Sequence, residues 1–346
     1  MRIGFVVNDV DTEVPTAATV LMAWSAATLG HEVFLIGVGD LTYRTDGTIA
    51  AEARPAPEAT DQKRFIEAVQ GRDAPRERLV CTDLDVLWLR YNPAEGEGDA
   101  LWERDAGMAF GQLAMHHGVI VLNHPYTLSF AVNKSYLQHF PEWVRPRTII
   151  TRNVGEILDF YRKEKKSIVL KPMHGYGGKD VYLLREDTSN LKQIVETITR
   201  SSYVIAQEYL PEAKKGDVRF FLVNGRPLLV DGKYAALRRV GASGDFRSNM
   251  SAGGKPRAVR VTERMLEIAR AVAPRIIADG LFFVGLDIVG DRLVEINTIS
   301  TGGLNAASKL AGTNFGIEVI RAIERKVEYR RAYGPRLTNR ELATMD

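Results

Sequence analysis

Two stretches of the chain hold side chains whose types and spacing could do chemistry together. The first is SIVLKPMHGYGGKDVYLL, from Ser167 to Leu184. Lys171 closes an apolar strand-like run, and Gly175, Gly177 and Gly178 form a loop before the next run begins near Asp180. Glycines tolerate positive φ and let backbone N–H groups crowd toward an anion, and a lysine at the strand end adds a full charge. That combination suits phosphate oxygens. It is not a Walker A loop, because no GK[ST] triplet leads into a helix. His174 within it reads as a loop residue.

The second stretch is FFVGLDIVGDRLVEINTIS, from Phe282 to Ser300. Glu295 and Asn297 are two apart on one strand and so share a face. A two-residue turn at Gly290-Asp291 would set Asp287 against Val294 and send Glu295 to the opposite face. A three-residue loop, Gly290-Asp291-Arg292, pairs Asp287 with Glu295 and gathers all three oxygen side chains, and this register is the one expected. Two carboxylates and an amide oxygen on one face suit Mg²⁺, which also takes waters and substrate phosphates.

Between them lie AQEYLPEAKKGDVRFF (Ala206–Phe221) and LRRVGASGDFRSNMSAGG (Leu237–Gly254). A strand running into Glu208-Tyr209-Leu210-Pro211 would offer backbone groups to a purine edge, with Asp217 in range of a ribose. Arg219, Arg239 and Arg247 are bidentate partners for phosphate or carboxylate. Taken with the glycine loop and the acidic hairpin, they describe a site for a reactive phosphate.

The elements that must position these residues are legible in outline. RIGFVV, HEVFLIGV, DVLWLR and GVIVLN read as buried strands, with helices over Thr16–Leu29 and near Ala100–His116. Strands alternating with helices predict an open parallel sheet. From Asn123 the pattern changes to mixed strands and helices. Asn224-Gly225 signals a hairpin turn, and a long helix covers Thr262–Asp279. The expected units are a Rossmann-like α/β domain over residues 1–122, a lid-bearing unit over 123–201, a C-terminal unit over 202–328, and a peripheral basic tail over 329–346.

Composition narrows the function classes. The 346 residues are 45% apolar and 26% charged, enough for two or three full cores at roughly 100–200 residues per domain. A formal charge of +3 is too small to imply nucleic-acid or membrane affinity. One cysteine, Cys81, excludes a disulfide framework and Cys-rich metal sites, and it reads as a small buried residue. No apolar stretch approaches the roughly 20 residues that span a bilayer, and the N-terminus lacks a signal-peptide pattern. A cytoplasmic protein is expected.

The order Lys134, Lys171-Pro172 with its glycine loop, Glu208-Tyr209-Leu210-Pro211, Gly216-Asp217-x-Arg219, Gly285-Leu286-Asp287 and Glu295-Ile296-Asn297 resembles the ATP-grasp superfamily. Within it, AQEYLPEAKKGD, RSNMSAGGKPR and LFFVGLDIVGDRLVEIN are similar to the bacterial glutathione synthetase family, over about residues 1–300. The resemblance implies an ATP-grasp fold behind an N-terminal pre-ATP-grasp domain. It implies a ligase that activates a carboxylate as an acyl-phosphate for attack by an amine.

The resemblance also distributes roles. Lys134 and Lys171 would contact ATP phosphates, with the loop Gly175, Tyr176, Gly177 and Gly178 closing over them. Glu208, Tyr209 and Leu210 would border adenine, and Asp217 the ribose. Asp287, Glu295 and Asn297 would bind two Mg²⁺ ions, with Mn²⁺ as an alternative, and Arg219 and Arg239 would stabilise the transferred phosphoryl group. Arg247, Asn249, Ser300, Gly302 and Gly303 would serve the substrates. The partners implied are small molecules, an amino acid or short peptide, in a homodimer or homotetramer. The alternative is an ATP-grasp amino-acid or peptide ligase with another donor and acceptor. Two departures bear on that choice: TISTGGLNAASKLAGTNFG after Asn297, and Arg90-Tyr91-Asn92-Pro93 on the expected donor side.

Overall fold

A computed structural model describes residues 1–93, 102–175, 180–185, 189–241 and 254–346. The first sheet has six strands in the order β4-β3-β2-β1-β5-β6. These are β1 (Arg2–Val7), β2 (Glu32–Tyr43), β3 (Ile49–Pro55), β4 (Glu77–Val80), β5 (Val86–Leu89) and β6 (Ile120–Leu122). The β2-β1-β5-β6 half is parallel, as the alternation with helices predicts. The β3 strand pairs antiparallel with β2, and β4 antiparallel with β3, so the sheet is mixed and not wholly parallel. Helices α1 (Ala18–Thr28), α2 (Gln62–Gln70) and α3 (Glu103–His116) accompany it, and α4 (Pro125–Ala131) leads away.

The second sheet runs β7-β10-β8-β9, from β7 (Thr148–Thr151), β8 (Ser167–Pro172), β9 (Tyr182–Arg185) and β10 (Val204–Glu208). Helices α5 (Val154–Lys163) and α6 (Leu191–Thr199) cover one face. Alternation decides which side chains they bury: Ile168, Leu170, Val204 and Ala206 join the core with Ile157 and Val195. Lys171 is thereby left to the other face. Because β10 lies between β7 and β8, a boundary at 201 would cut this sheet, which ends at Glu208.

The third sheet runs β16-β15-β11-β17-β18, with β12 on the end of β11. Its strands are β11 (Asp217–Val223), β12 (Arg226–Pro227), β15 (Ala236–Val240), β16 (Lys255–Arg257), β17 (Phe283–Val289) and β18 (Arg292–Asn297). A small ribbon pairs β13 (Leu229–Val230) with β14 (Lys233–Tyr234). Asn224 and Gly225, at φ 54° and 73°, make the two-residue turn their sequence signals. Helix α7 (Glu263–Ala278) is capped by the Thr262 side chain and packs its Met265, Ile268, Val272 and Ile276 side against Val218, Phe220 and Leu222.

Helices α8 (Leu304–Ala311), α9 (Phe315–Tyr333) and α10 (Asn339–Thr344) complete the chain. The segment expected as a peripheral basic tail is instead packed. Leu342 and Ala343 are fully buried with Phe282 and Val319 in one core. The Asn339 amide exchanges hydrogen bonds with the Val121 backbone at 2.8 and 2.9 Å, and buried Lys326 donates to Met345 O at 2.7 Å. Basic residues line the outer side of α9 and conceal the apolar stripe beneath. Cys81 is fully buried, and burial pushes its thiol up to about 12.

Candidate active site

The last hairpin supplies the oxygen cluster by a route the sequence does not announce. Val289 pairs with Arg292 and Ile288 with Leu293, so the turn is the two-residue Gly290-Asp291 and not the expected three-residue loop. A β-bulge at Val294 then shifts the register, and Asp287 faces Glu295 while Gly285 faces Asn297. The expected juxtaposition holds for a different reason. The bulge also turns the Val294 carbonyl toward the second sheet, where it accepts from Lys171 Nζ at 3.4 Å.

Across the third sheet the same face carries alternating charge. Arg219 on β11 is the register partner of Asp287, and Asp217 is that of Arg239 on β15. Arg219 grips Asp287 through Nε at 2.5 Å and a terminal nitrogen at 2.9 Å. Arg239 lies 2.7 Å from the same carboxylate and forms a fork with Asp217. Burial works against charge on Asp287, but Arg219 and Arg239 outweigh it and hold the carboxyl below the usual carboxylate range. Burial opposes the Arg239 cation as well, and Asp287 and Asp217 hold its proton firmly.

Gly285 makes this packing possible. A Cβ there would sit 2.7 Å from Thr301 Cγ2 and 2.8 Å from Arg219 Cδ. At Gly216, φ is +82° and a Cβ would overlap the Arg239 carbonyl, so the turn into Asp217 needs glycine.

Two lysines reach the cluster from outside the third sheet. Lys134 follows α4; its ammonium lies 3.5 Å from Glu295 and donates to the Gly175 carbonyl, while its backbone N–H donates to Met173 O at 3.0 Å. Lys171, buried on β8, donates to Gln207 Oε1 at 3.2 Å. Burial pushes the Lys171 ammonium down to about 8; Glu295 and Asp287 oppose that and Lys134 adds to it. Gln207 carries no motif of its own, but it is one residue from Glu208 on the face that alternation assigns to Lys171.

The Glu208 side chain points away from this gap. It accepts from the Arg147 backbone N–H at 3.0 Å and pairs with the Arg147 guanidinium, which also forks onto Glu164. The Glu208 backbone N–H donates to Arg147 O at 3.0 Å and that of Tyr209 to Ser167 O at 3.3 Å, and the Tyr209 ring lies under Arg185, 4.2 Å from guanidinium carbon to ring centre. Ser300 and Gly302 are exposed, the Gly302 carbonyl accepts from Arg219 at 3.0 Å, and Gly303, at φ +97°, begins α8 without a side-chain cap. Tyr176, Gly177, Gly178, Arg247 and Asn249 lie outside the described residues.

Among the described residues no three His, Cys, Asp or Glu side chains gather as a metal site. Asp287 and Glu295 nonetheless fit a hard cation, with Asn297 completing the set. The Asn297 amide lies 3.2 Å from Asp287 Oδ2, and turning it over presents its oxygen to the same point. Four cations (Lys134, Lys171, Arg219, Arg239) stand against three carboxylates (Asp217, Asp287, Glu295), a balance that favours a polyphosphate bringing its metal with it. No helix among the described residues is long and apolar enough to cross a membrane.

Comparison with known proteins agrees with this geometry. Residues 1–128 match the N-terminal domain of prokaryotic glutathione synthetase, and residues 133–312 its ATP-grasp domain. Glutathione synthetase of Pseudomonas putida is 32% identical over 95% of this chain and 99% of its own. That of Gloeobacter violaceus is 34% identical over 92% and 95% respectively. In fold, the chain is similar to the D-cycloserine synthetase DcsG, with TM-score 0.64 at 14% identity over 94% of this chain and 100% of that one. It is also similar to the ATP-grasp ligase PsnB, with TM-score 0.60 at 16% identity over 94% and 98%. The chain belongs to the prokaryotic glutathione synthetase family and is an ATP-dependent ligase of the ATP-grasp fold.

Proposed function

We propose that this chain joins γ-glutamylcysteine to glycine, converting ATP to ADP and phosphate. The observation that carries the reading is the convergence of Lys134 and Lys171 on a hairpin face bearing Asp287, Glu295 and Asn297. Lys134 and Lys171 hold the phosphates, and the backbone from Glu208 to Leu210, with Asp217, borders adenine and ribose. Two Mg²⁺ ions, or Mn²⁺ in their place, would be held by Asp287, Glu295 and Asn297 and would neutralise charge on the phosphate oxygens. Arg219 and Arg239 pass part of their hydrogen bonding from Asp287 to the γ-phosphoryl group as it transfers.

A donor carboxylate oxygen attacks the γ-phosphorus and the bond to ADP breaks. The acceptor amine then attacks the acyl carbon, and phosphate leaves. The loop of Gly175, Tyr176, Gly177 and Gly178 keeps water from the acyl-phosphate meanwhile. Arg247 serves the substrates, and Asn249, Ser300 and the Gly302-Gly303 turn lie beside the acceptor. The protein works in the cytoplasm as a homodimer or homotetramer, with its lid unit ending at Glu208.

A second reading, a ligase of the same chemistry for another pair of substrates, is favoured by the Thr301-Gly302-Gly303 turn. It is also favoured by Arg90, which does not point toward a donor. ADP release over a panel of γ-glutamyl and other carboxylates with amino-acid acceptors, and the product mass, decide between them. No turnover of γ-glutamylcysteine with glycine removes the first reading.

A further inference from the structure

Arg90 follows β5 in the first sheet, in the segment where donor contacts are expected, and its guanidinium does something else. Nε donates to Thr19 Oγ1 at 3.2 Å, and the terminal nitrogens donate to Ile299 O at 2.8 Å and Thr301 O at 2.9 Å. The side chain is 3% exposed and lies over the rings of Trp88 and Phe283 at 5.5 and 5.7 Å. Burying a cation is costly, and an apolar residue of that size would pack between two aromatic rings more cheaply. A planar fork able to hold two carbonyls two residues apart is what arginine alone supplies.

The held turn leads directly to the chemistry. The Thr301 hydroxyl donates back to Asn297 O at 2.8 Å, the Gly302 carbonyl anchors Arg219, and Gly303 begins α8. A path of direct contacts therefore runs from β5 through Arg90, the 299–303 turn and Arg219 to Asp287.

We propose that Arg90 is a positioning residue for the amine acceptor. It acts across some two hundred residues of sequence by setting the turn that carries Ser300, Gly302 and Gly303. The inference rests on the reading above that these three residues serve the acceptor.

Arg90→Lys and Arg90→Met test it. An ammonium keeps the charge but cannot reproduce the fork, so both variants should raise the acceptor KM and lower kcat, together by about 10²-fold in kcat/KM. The KM for ATP should stay put. Hydrogen exchange of the amides at 299–304 should quicken in the ADP complex while exchange along β11 is unchanged. Should Arg90→Met fail to fold, Arg90→Lys carries the test. Unaltered acceptor kinetics in Arg90→Lys, or a parallel rise in the ATP KM, overturns the proposal, as does unaltered exchange at 299–304. Quickened exchange in a protein whose wild type makes no glutathione supports the hold of Arg90 on the turn and removes only the substrate reading.

Discussion

Asp287 and Glu295 stand opposite each other in the last hairpin because Val294 is bulged out on one strand. The two acids differ in surroundings. Asp287 is 2% exposed and clasped by two arginines, while the Glu295 side chain is 37% exposed with one lysine nearby.

That difference separates catalysis from stability. Glu295→Gln should lower ADP release by at least about 10²-fold, the scale of losing one electrostatic partner of a transition state. Its melting temperature should hardly change. Asp287→Asn should cost activity and also roughly 3–5 kcal/mol, because buried Arg219 loses the carboxylate that grips it and Arg239 keeps only Asp217. Near-normal turnover in Glu295→Gln would show that this hairpin does not handle metal and phosphate.

Lys171→Met should weaken ATP binding. With the wild-type ammonium held down to about 8 by burial, its charge is present at neutral pH and is lost as pH rises through that value. Wild-type affinity for ATP should therefore fall above about pH 8, and that of Lys171→Met should not follow. Calorimetric titration with a non-hydrolysable ATP analogue measures both, and parallel pH profiles would contradict the phosphate role.

Gly285→Ala would place a methyl 2.8 Å from Arg219 Cδ and 2.7 Å from Thr301 Cγ2. Overpacking of this kind costs about 1–3 kcal/mol. The displaced guanidinium should lower kcat more than it raises the KM for ATP. Urea unfolding and steady-state kinetics check the two effects, and an unperturbed kcat would remove Arg219 from the reaction.

Burial, with Arg340 assisting and Asp279 opposing, pushes the His124 imidazole down to about 4 from an ordinary 6.5. The unfolded chain then binds the proton first, so stability contributed above pH 6.5 is lost as pH falls toward about 4. The loss approaches about 3 kcal/mol by linkage at roughly 1.4 kcal/mol per pH unit. His124→Asn should blunt it. Urea midpoints at neutral pH and near pH 4.5 decide, and an equal acid loss in both proteins would count against His124.

The chemistry was more legible than the geometry. Side-chain types and the i, i+2 alternation of Glu295 and Asn297 were enough to single out the acidic face. Nothing in RLVEIN marks a bulge, which is held in part by a contact from Val294 to Lys171, a hundred and more residues earlier. The β3 and β4 strands, IAAEARP and ERLV, have small and charged residues that speak weakly for strand. The final helices read as a basic tail because charge dominates their composition, whereas the burial of Lys326, Leu342 and Ala343 is decided by tertiary packing. Arg90 shows the same limit: its role lies in carbonyls far along the chain.

The Arg147–Glu208 pair has a mechanical consequence. The chain enters the four-stranded sheet beside Arg147 and leaves it beside Glu208, where the Glu208 N–H donates to Arg147 O and the Arg147 N–H to the Glu208 carboxylate. The sheet carries its own apolar filling, from Ile157 to Ala206, separate from the two larger cores. A rotation of the sheet about that crossing would leave its own filling intact. Among the described residues, the contacts such a rotation would remake are those of Lys134 and Lys171, together with those of His174 to Arg104 and Asn133.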